Sequence, residues 1–160
     1  MSLLIVPALD RPQEIAALFE EYTALLIAGD PTFRDYLALQ RYDQELLHLD
    51  AKYGPPHGRL YLALDGGEAV GCVGLRRIDD ARCEMKRLYV RPAYRGRGVG
   101  AALCRRIIGD ARPIGYRHML LDTLPFLETA IALYRRLGFE EIPCYNDSPM
   151  QNAVYLHLAL

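Results

Sequence analysis

The sequence predicts one α/β domain of the α+β type, in which a mostly antiparallel sheet is flanked by helices. Three strand-like segments follow one another between residues 59 and 90 with only short turns between them, which favours antiparallel pairing. Two later helical segments lie between strands, and parallel neighbours are expected only around them. With 160 residues, 51% of them hydrophobic, and no linker or repeat, residues 1–160 are expected to form a single domain.

The first part of the chain contains a strand and two helical stretches. Leu3–Val6 is a short apolar run that ends at a proline, as is typical of a strand. Asp10 is a candidate cap for a helix in which apolar residues recur at helical spacing until Gly29. A second helical stretch is predicted from Thr32 to the breakers Gly54-Pro55-Pro56.

Turn residues divide the remaining strands. The predicted strands are Arg59–Leu64, Ala69–Leu75, Cys83–Val90, His118–Asp122 and Val154–Leu160. Helices are expected from Val99 to Gly115 and from Glu128 to Leu137, with Gly138 as a left-handed C-cap. The predicted order of elements is β-α-α-β-β-β-α-β-α-β-β.

Charge is distributed unevenly along the chain. The net charge of −1 argues against a general nucleic-acid or membrane-surface partner. Residues 82–117 nevertheless contain ten Arg or Lys and only two acids, which indicates a local site for an anion. The four cysteines lie in apolar surroundings without metal-type spacing, and the four histidines are scattered, so we expect buried free thiols and no metal. The N-terminal apolar run is too short for a signal peptide or a membrane span, and a cytoplasmic protein is expected.

Three glycines stand immediately before the first of the later helices, in the stretch RPAYRGRGVGAALCRRII. A helix N-terminus exposes unpaired N–H groups and carries about half a positive charge. Gly96, Gly98 and Gly100 would let a phosphate group reach those N–H groups, and Arg95 and Arg97 add charge at the same rim. The alternative is a tight strand-to-helix turn, which does not require three glycines in five positions. The stretch therefore predicts a phosphate-binding loop.

Two nucleotide-binding motifs are alternatives for this stretch. The P-loop sequence is absent. Gly96, Gly98 and Ala101 fit the relaxed dinucleotide spacing, and Asp122 ends the next strand, where a ribose-binding acid belongs. That motif belongs to an alternating βαβ sheet, whereas here a hairpin precedes it and too few residues follow for a second half.

Two motifs resemble a known family. The stretch LYVRPAYRGRGVGAAL resembles motif A of the GNAT superfamily of acyl-CoA-dependent N-acetyltransferases, whose core [RQ]-x-x-G-x-[GA] is matched by Arg95, Gly98 and Gly100. The stretch AIALYRRLGF, Ala130–Phe139, resembles its second hallmark, and the order of elements agrees over essentially the whole chain. Segments such as CEMKRLYV are similar to an uncharacterised bacterial subgroup. Leu127 stands where many members have an Asn that contacts the cofactor.

The resemblance implies acetyl-CoA as co-substrate and a mostly antiparallel GNAT-like sheet. It implies that backbone amides of residues 96–101 hold the pyrophosphate and that a splayed strand pairs with the pantetheine arm. The expected cofactor-binding residues are Leu88, Tyr89, Val90, Arg95, Gly96, Arg97, Gly98, Val99, Gly100, Ala101 and Arg136.

The resemblance also implies two catalytic residues. Glu84, eleven residues before Arg95, would act as general base on the acceptor amine, directly or through water, unless it only pairs with an arginine. Tyr134 would protonate the departing thiolate, unless it is a core aromatic residue. The expected activity is acetyl transfer to a primary amine by direct attack on the thioester; the alternative is a non-catalytic acyl-CoA sensor.

The acceptor has no motif of its own in the sequence. It is expected to be a small-molecule or peptide amine, and a homodimer is left open. The first two helices border the acceptor cleft in related folds, and residues 10–50 contain nine acids. Those acids would suit a cationic small amine if they lined the cleft; otherwise they form a solvated face.

Overall fold

The computed structural model describes all residues from Met1 to Leu160, and its strands form one seven-stranded sheet in the order β1-β2-β3-β4-β5-β7-β6. The strands are β1 (Leu3–Pro7), β2 (Arg59–Asp65), β3 (Glu68–Arg77), β4 (Arg82–Val90), β5 (His118–Thr123), β6 (Glu140–Ile142) and β7 (Val154–Ala159). Only the β4–β5 pair is parallel; the other five pairs are antiparallel. The predicted fold class is confirmed.

Six α-helices flank this sheet. They are α1 (Pro12–Gly29), α2 (Phe33–Leu39), α3 (Tyr42–Leu47), α4 (Leu49–Tyr53), α5 (Val99–Ile114) and α6 (Glu128–Arg136), with a short 3₁₀ turn at Pro92–Tyr94. The predicted second helical stretch was wrong in its continuity, because Arg41 takes a left-handed conformation with φ 56° and His48 leaves the helical region. The predicted cap at Asp10 was also wrong: Arg11 precedes the helix, and no side chain caps it. Pro12 begins α1, where its missing N–H costs nothing.

Both faces of the sheet are covered. Helix α5 packs on one face and buries Val99, Leu103 and Ile107 in a cluster of 20 buried residues. Helices α1 and α4 cover the other face with a cluster of 12. Fully burying a large apolar side chain contributes about 1.5–3 kcal/mol, so these two layers hold the sheet between them. None of the helices combines the length and the apolar character needed to cross a bilayer.

The cysteines differ in their surroundings. Cys72, Cys83 and Cys104 are free and buried, as the sequence predicted. Cys144 is free but exposed, so the expectation of a buried thiol was wrong there. Cys144 lies in the loop after the short strand β6, where the sheet no longer covers the chain.

Strands β4 and β5 separate along their length. They pair only over Arg82–Glu84 of β4, and the rest of β4 has no partner on that side. The cause is a bulge, since the β3–β4 register shifts between Cys72 and Gly74 and Arg87 takes a left-handed conformation with φ 60°. The predicted splaying of the Leu88–Val90 segment is therefore present in the fold, and it opens a cleft in the middle of the sheet.

An ion pair holds the strained residue of this bulge. The guanidinium of Arg87 donates to both carboxylate oxygens of Glu45 at 2.9 Å, and both side chains are buried. Burial alone would raise the pKa of Glu45, but Arg87 and Lys52 outweigh it and lower the pKa to about 2. A left-handed non-glycine residue costs about 1–3 kcal/mol, and this charged hydrogen-bonded pair offsets the strain.

Candidate active site

A large cavity of about 320 Å³ lies where β4 splays from β5. It is bounded by the end of β4, the N-terminus of α5 and one face of α6. Ten of the predicted cofactor-binding residues line it: Leu88, Tyr89, Val90, Arg95, Gly96, Gly98, Val99, Gly100, Ala101 and Arg136. Arg97 does not line it; its guanidinium lies over the ring of Tyr94, 5.5 Å from the centroid.

The glycine loop leaves the N-terminus of α5 open to this cavity. Gly96 and Gly98 have φ values of 76° and 81°, and a Cβ on either would meet no atom within 4 Å. Gly98 is the N-cap, and no side chain caps the helix. The first N–H groups of α5 are therefore free to bind an acceptor in the cavity, and the helix dipole favours a negatively charged one. These features fit a phosphate group.

Arg95 is held at the rim of the large cavity by two contacts. Its Nε donates to the carbonyl oxygen of Val90 at 3.0 Å, and its guanidinium lies 5.7 Å from the ring centroid of Tyr89. These contacts fix a positive charge beside the glycine loop at low entropic cost. They also occupy one of the β4 carbonyl groups that the sequence interpretation assigned to the pantetheine arm.

A small cavity of about 30 Å³ adjoins the large one. Four residues line both cavities: Tyr22, Leu88, Leu127 and Tyr134. The small cavity is mostly apolar, but Tyr36, Gln40, Lys86, Arg87 and Asp122 bring polar groups to its wall. A ligand in the large cavity and a second one in the small cavity would thus meet beside Tyr134.

Tyr134 has a free hydroxyl at this junction. Its ring is 6% exposed and packs edge-on against Phe139 at 5.8 Å, because the left-handed Gly138 turns the chain back after α6. Its hydroxyl makes no hydrogen bond to the protein, and burial raises its pKa well above the usual value. Tyr134 therefore keeps its proton at neutral pH and has no protein acceptor for it.

Glu84 lies beside the cavities but lines neither. It is 2% exposed, Arg76 Nε donates to it at 2.6 Å, and the hydroxyl of Tyr145 donates to its other oxygen. Burial alone would raise its pKa, but Lys86 and Arg76, with the hydrogen bond from Tyr145, outweigh burial and lower it. Glu84 is thus a charged, paired carboxylate, and because it lines neither cavity, any proton it accepts from one of them has to be relayed to it.

Asp122 is a carboxylate that sequence reasoning did not assign to an acceptor site. It is the penultimate residue of β5 and lies on the wall of the small cavity. Its Oδ2 accepts from the hydroxyl of Tyr36 and, at 3.1 Å, from Asn146 Nδ2, while its Oδ1 makes no hydrogen bond to the protein. Its only sequence signal was its place after an apolar strand.

The nine acids of residues 10–50 line neither cavity. Glu21 pairs with Arg91 at 2.9 Å and Glu45 with Arg87, so these two neutralise arginines of β4 and the residue after it. Of the two alternatives given for these acids, an acidic rim around the cavities is therefore not present. The sequence signal that did matter was the alternation of Glu84 and Lys86, which places both on one face of β4.

Comparison with known proteins agrees with this geometry. The profile of the acetyltransferase (GNAT) family matches residues 16–139. The chain belongs to the GNAT acetyltransferase family. An uncharacterized N-acetyltransferase of Schizosaccharomyces pombe is 37% identical to this GNAT chain over 161 residues, 99% of this chain and 96% of that protein.

Solved GNAT-type structures share its fold. The crystal structure of an acetyltransferase from Streptococcus agalactiae matches with a TM-score of 0.77 and 22% identity, over 99% of this chain and 98% of that one. The PaiA N-acetyltransferase of Thermoplasma acidophilum, in complex with coenzyme A, matches with a TM-score of 0.75 and 15% identity over 100% of both chains. At such identities the likeness shows the fold, and the family match shows a GNAT-type N-acetyltransferase.

Proposed function

We propose that this GNAT acetyltransferase transfers an acetyl group from acetyl-CoA to a primary amine by direct attack. The observation that carries the proposal is that two cavities meet beside the unpartnered hydroxyl of Tyr134. The large cavity is of ligand size and ends at an open helix N-terminus, which suits a long molecule with phosphate groups at one end. The small cavity is left for the acceptor.

The residues that would hold acetyl-CoA are those around the large cavity. The glycine loop and Arg95 would bind the pyrophosphate, the unpaired edge of β4 at Leu88–Val90 the pantetheine arm, and Arg136 an outer phosphate. Leu127 has no side-chain amide to offer that arm, and it contributes an apolar wall instead. The likeness to a protein solved with coenzyme A supports this assignment. When bound, acetyl-CoA supplies a thioester carbonyl to the amine and a thiolate as leaving group.

The reaction would then need two proton transfers, one from the acceptor amine and one to the departing sulfur. An alkyl amine titrates near ~10, as lysine does, and must lose a proton before its nitrogen can form the new C–N bond. Glu84 remains the proposed base for that proton, through a water, since neither Glu84 nor its partner Tyr145 lines either cavity. As the C–S bond breaks, Tyr134 would donate its hydroxyl proton to the sulfur.

An acceptor screen tests the proposal. The purified chain is mixed with acetyl-CoA and a panel of amines, and free thiol is measured over time together with acetylated product. Turnover with at least one amine, and none without amine, is the expected result. Tight CoA binding without thiol release for any amine would instead indicate the non-catalytic sensor.

A Tyr134→Phe variant is expected to lower kcat roughly tenfold at saturating acetyl-CoA, with little change in acetyl-CoA affinity. The ring still fills its place against Phe139, so only the proton donor is lost. The effect is modest because a thiol with a pKa of about 8.5 is a fair leaving group. The measurement is steady-state kinetics with an acceptor whose chemical step limits turnover.

Tyr116→Phe is the matched control, because it also removes one hydroxyl, which here donates to the carbonyl oxygen of His57 at 2.8 Å outside both cavities. Its kcat is expected to match the wild-type value. A Tyr134→Phe protein with wild-type kcat would leave Tyr134 as a packing residue.

A further inference from the structure

One ammonium group on the wall of the small cavity has no close partner. Lys86 is 6% exposed and lines that cavity, yet its Nζ makes no hydrogen bond to the protein. The nearest anion is Glu84, whose oxygen lies 3.8 Å away. That carboxylate already accepts shorter bonds from Arg76 and Tyr145. All three N–H donors of Lys86 are therefore unused.

The ion network around Lys86, in which Arg76 and Lys52 are partly exposed, contains one more cation than it has carboxylates. Its cations are Lys52, Arg76, Lys86 and Arg87, and its carboxylates are Glu45, Glu84 and Asp122. Arg76 is bound to Glu84, and Arg87 and Lys52 are bound to Glu45. A buried ammonium without a hydrogen-bonded counter-ion is costly, and burial accordingly lowers the pKa of Lys86 against the opposing pull of Glu84. The missing component is an anion.

The same cavity offers a place for a positive charge. Asp122 Oδ1 has no hydrogen-bond partner, although Tyr36 and Asn146 hold the other oxygen in place. The small cavity thus presents one unused cation and one unused carboxylate oxygen, which together match a zwitterion. A purely cationic amine would leave Lys86 facing a like charge in a buried site.

We propose that the acceptor is a small amino acid whose carboxylate binds Lys86 while its amine lies at the junction beside Tyr134. This inference rests on the proposed function and names its substrate class. The small cavity has room for about one or two water-sized groups, enough for a planar carboxylate. A phosphate dianion is bulkier and would be repelled by Asp122, so the geometry favours the carboxylate.

The test compares acceptors that differ only in the carboxylate. Glycine and alanine are measured against glycinamide and alaninamide, and kcat/KM is determined for each with saturating acetyl-CoA. The amides contain amines that titrate near ~8, as chain termini do, so reactivity alone would favour them. We expect the acids to exceed the amides at least tenfold in kcat/KM in the wild-type protein.

In the Lys86→Met variant, the kcat/KM for each amino acid is expected to be close to that for its amide. Methionine is unbranched and only one heavy atom shorter than lysine, and replacing a buried charge by an apolar group is often tolerated. The chain has one other lysine, Lys52, which belongs to the same ion network but lines neither cavity. Lys52→Met therefore removes the same charge without changing the lining of either cavity. Its kcat/KM for amino acids should still exceed that for the amides at least tenfold.

Binding gives a readout that does not depend on turnover. Calorimetry of N-acetylalanine against the CoA-loaded protein is expected to show binding that Lys86→Met abolishes and Lys52→Met keeps. Circular dichroism and melting curves check the fold, with Lys86→Gln as the substitute if the Met variant is unfolded.

The outcomes separate this inference from the function on which it rests. Equal kcat/KM for acids and amides, or a preference for acids that survives Lys86→Met, overturns the carboxylate site while acetyl transfer stands. A preference for phosphorylated amines over amino acids overturns it as well. If the panel yields no acetylated amine at all, the proposed function fails and the inference fails with it.

Discussion

A Gly98→Glu protein is expected to stay folded and to lose at least about a hundredfold in affinity for acetyl-CoA. The glycine loop has room for the new side chain, since a Cβ at Gly98 meets no atom within 4 Å. That room is the proposed phosphate site, so the carboxylate would occupy it. Two like charges 4 Å apart near a protein surface repel by about 4 kcal/mol, and a hundredfold loss corresponds to about 2.7 kcal/mol.

The backbone at Gly98 needs its own control, because its φ of 81° strains any residue with a side chain. Gly115 provides one at the opposite end of α5, with φ 115° and no atom within 4 Å of a built Cβ. Gly115→Glu adds the same charge and a comparable strain far from the cavity. Calorimetry with CoA should show near wild-type affinity for Gly115→Glu. Unchanged affinity in a folded Gly98→Glu protein would remove the glycine loop from the binding site.

The sequence was most informative where the chemistry is local. The glycine loop and the helix after it are consecutive in the chain, so their spacing alone predicted an open helix N-terminus. Ten of the eleven cofactor residues that the resemblance implied line one cavity, nine of them within residues 88–101 and the tenth, Arg136, at the end of α6. Arg97 is the exception, because alternate residues of a turn point in different directions and its guanidinium lies over Tyr94.

The acceptor side could not be predicted in this way. Lys86, Asp122 and Asn146 come from two strands and a loop that are far apart in sequence. Only the β4–β5 separation and the return of the chain before β7 bring them together. The prediction of one continuous second helical stretch was wrong because neither Gly nor Pro marks the break at Arg41 in the sequence.

Glu84 was predicted from the sequence only in part. Its place on the strand was correct, whereas its burial and its pairing with Arg76 and Tyr145 depend on distant segments. These contacts bear on whether Glu84 can act as a general base. Its carboxylate is charged at neutral pH, but its lowered pKa makes it a weaker base than an ordinary glutamate.

Glu84→Gln is expected to lower kcat/KM by about a hundredfold at neutral pH, the low end of the roughly 10²–10⁴ range of general-base catalysis. The loss should shrink as pH rises, because the acceptor amine then loses its proton without help. Kinetics from pH 6 to 10 with one small amine measure this. Asp122→Asn is the comparison, because Asp122 is the one carboxylate that two hydrogen bonds hold on the wall of the small cavity.

Stability separates the structural contribution of Glu84 from its chemical one. Its pKa is lowered in the folded state, so the charged form stabilises the fold above the unfolded pKa, near ~4.3, and this contribution disappears as pH falls through the folded pKa. The free energy of unfolding of the Glu84→Gln protein, measured by denaturation, should therefore be lower than that of wild type at pH 7. The two values should converge in acid, whatever the kinetics show. A kcat/KM loss that does not vary with pH would follow from this structural effect alone. If Asp122→Asn then showed the pH-dependent loss instead, the proton would pass to Asp122, the carboxylate that faces the acceptor directly.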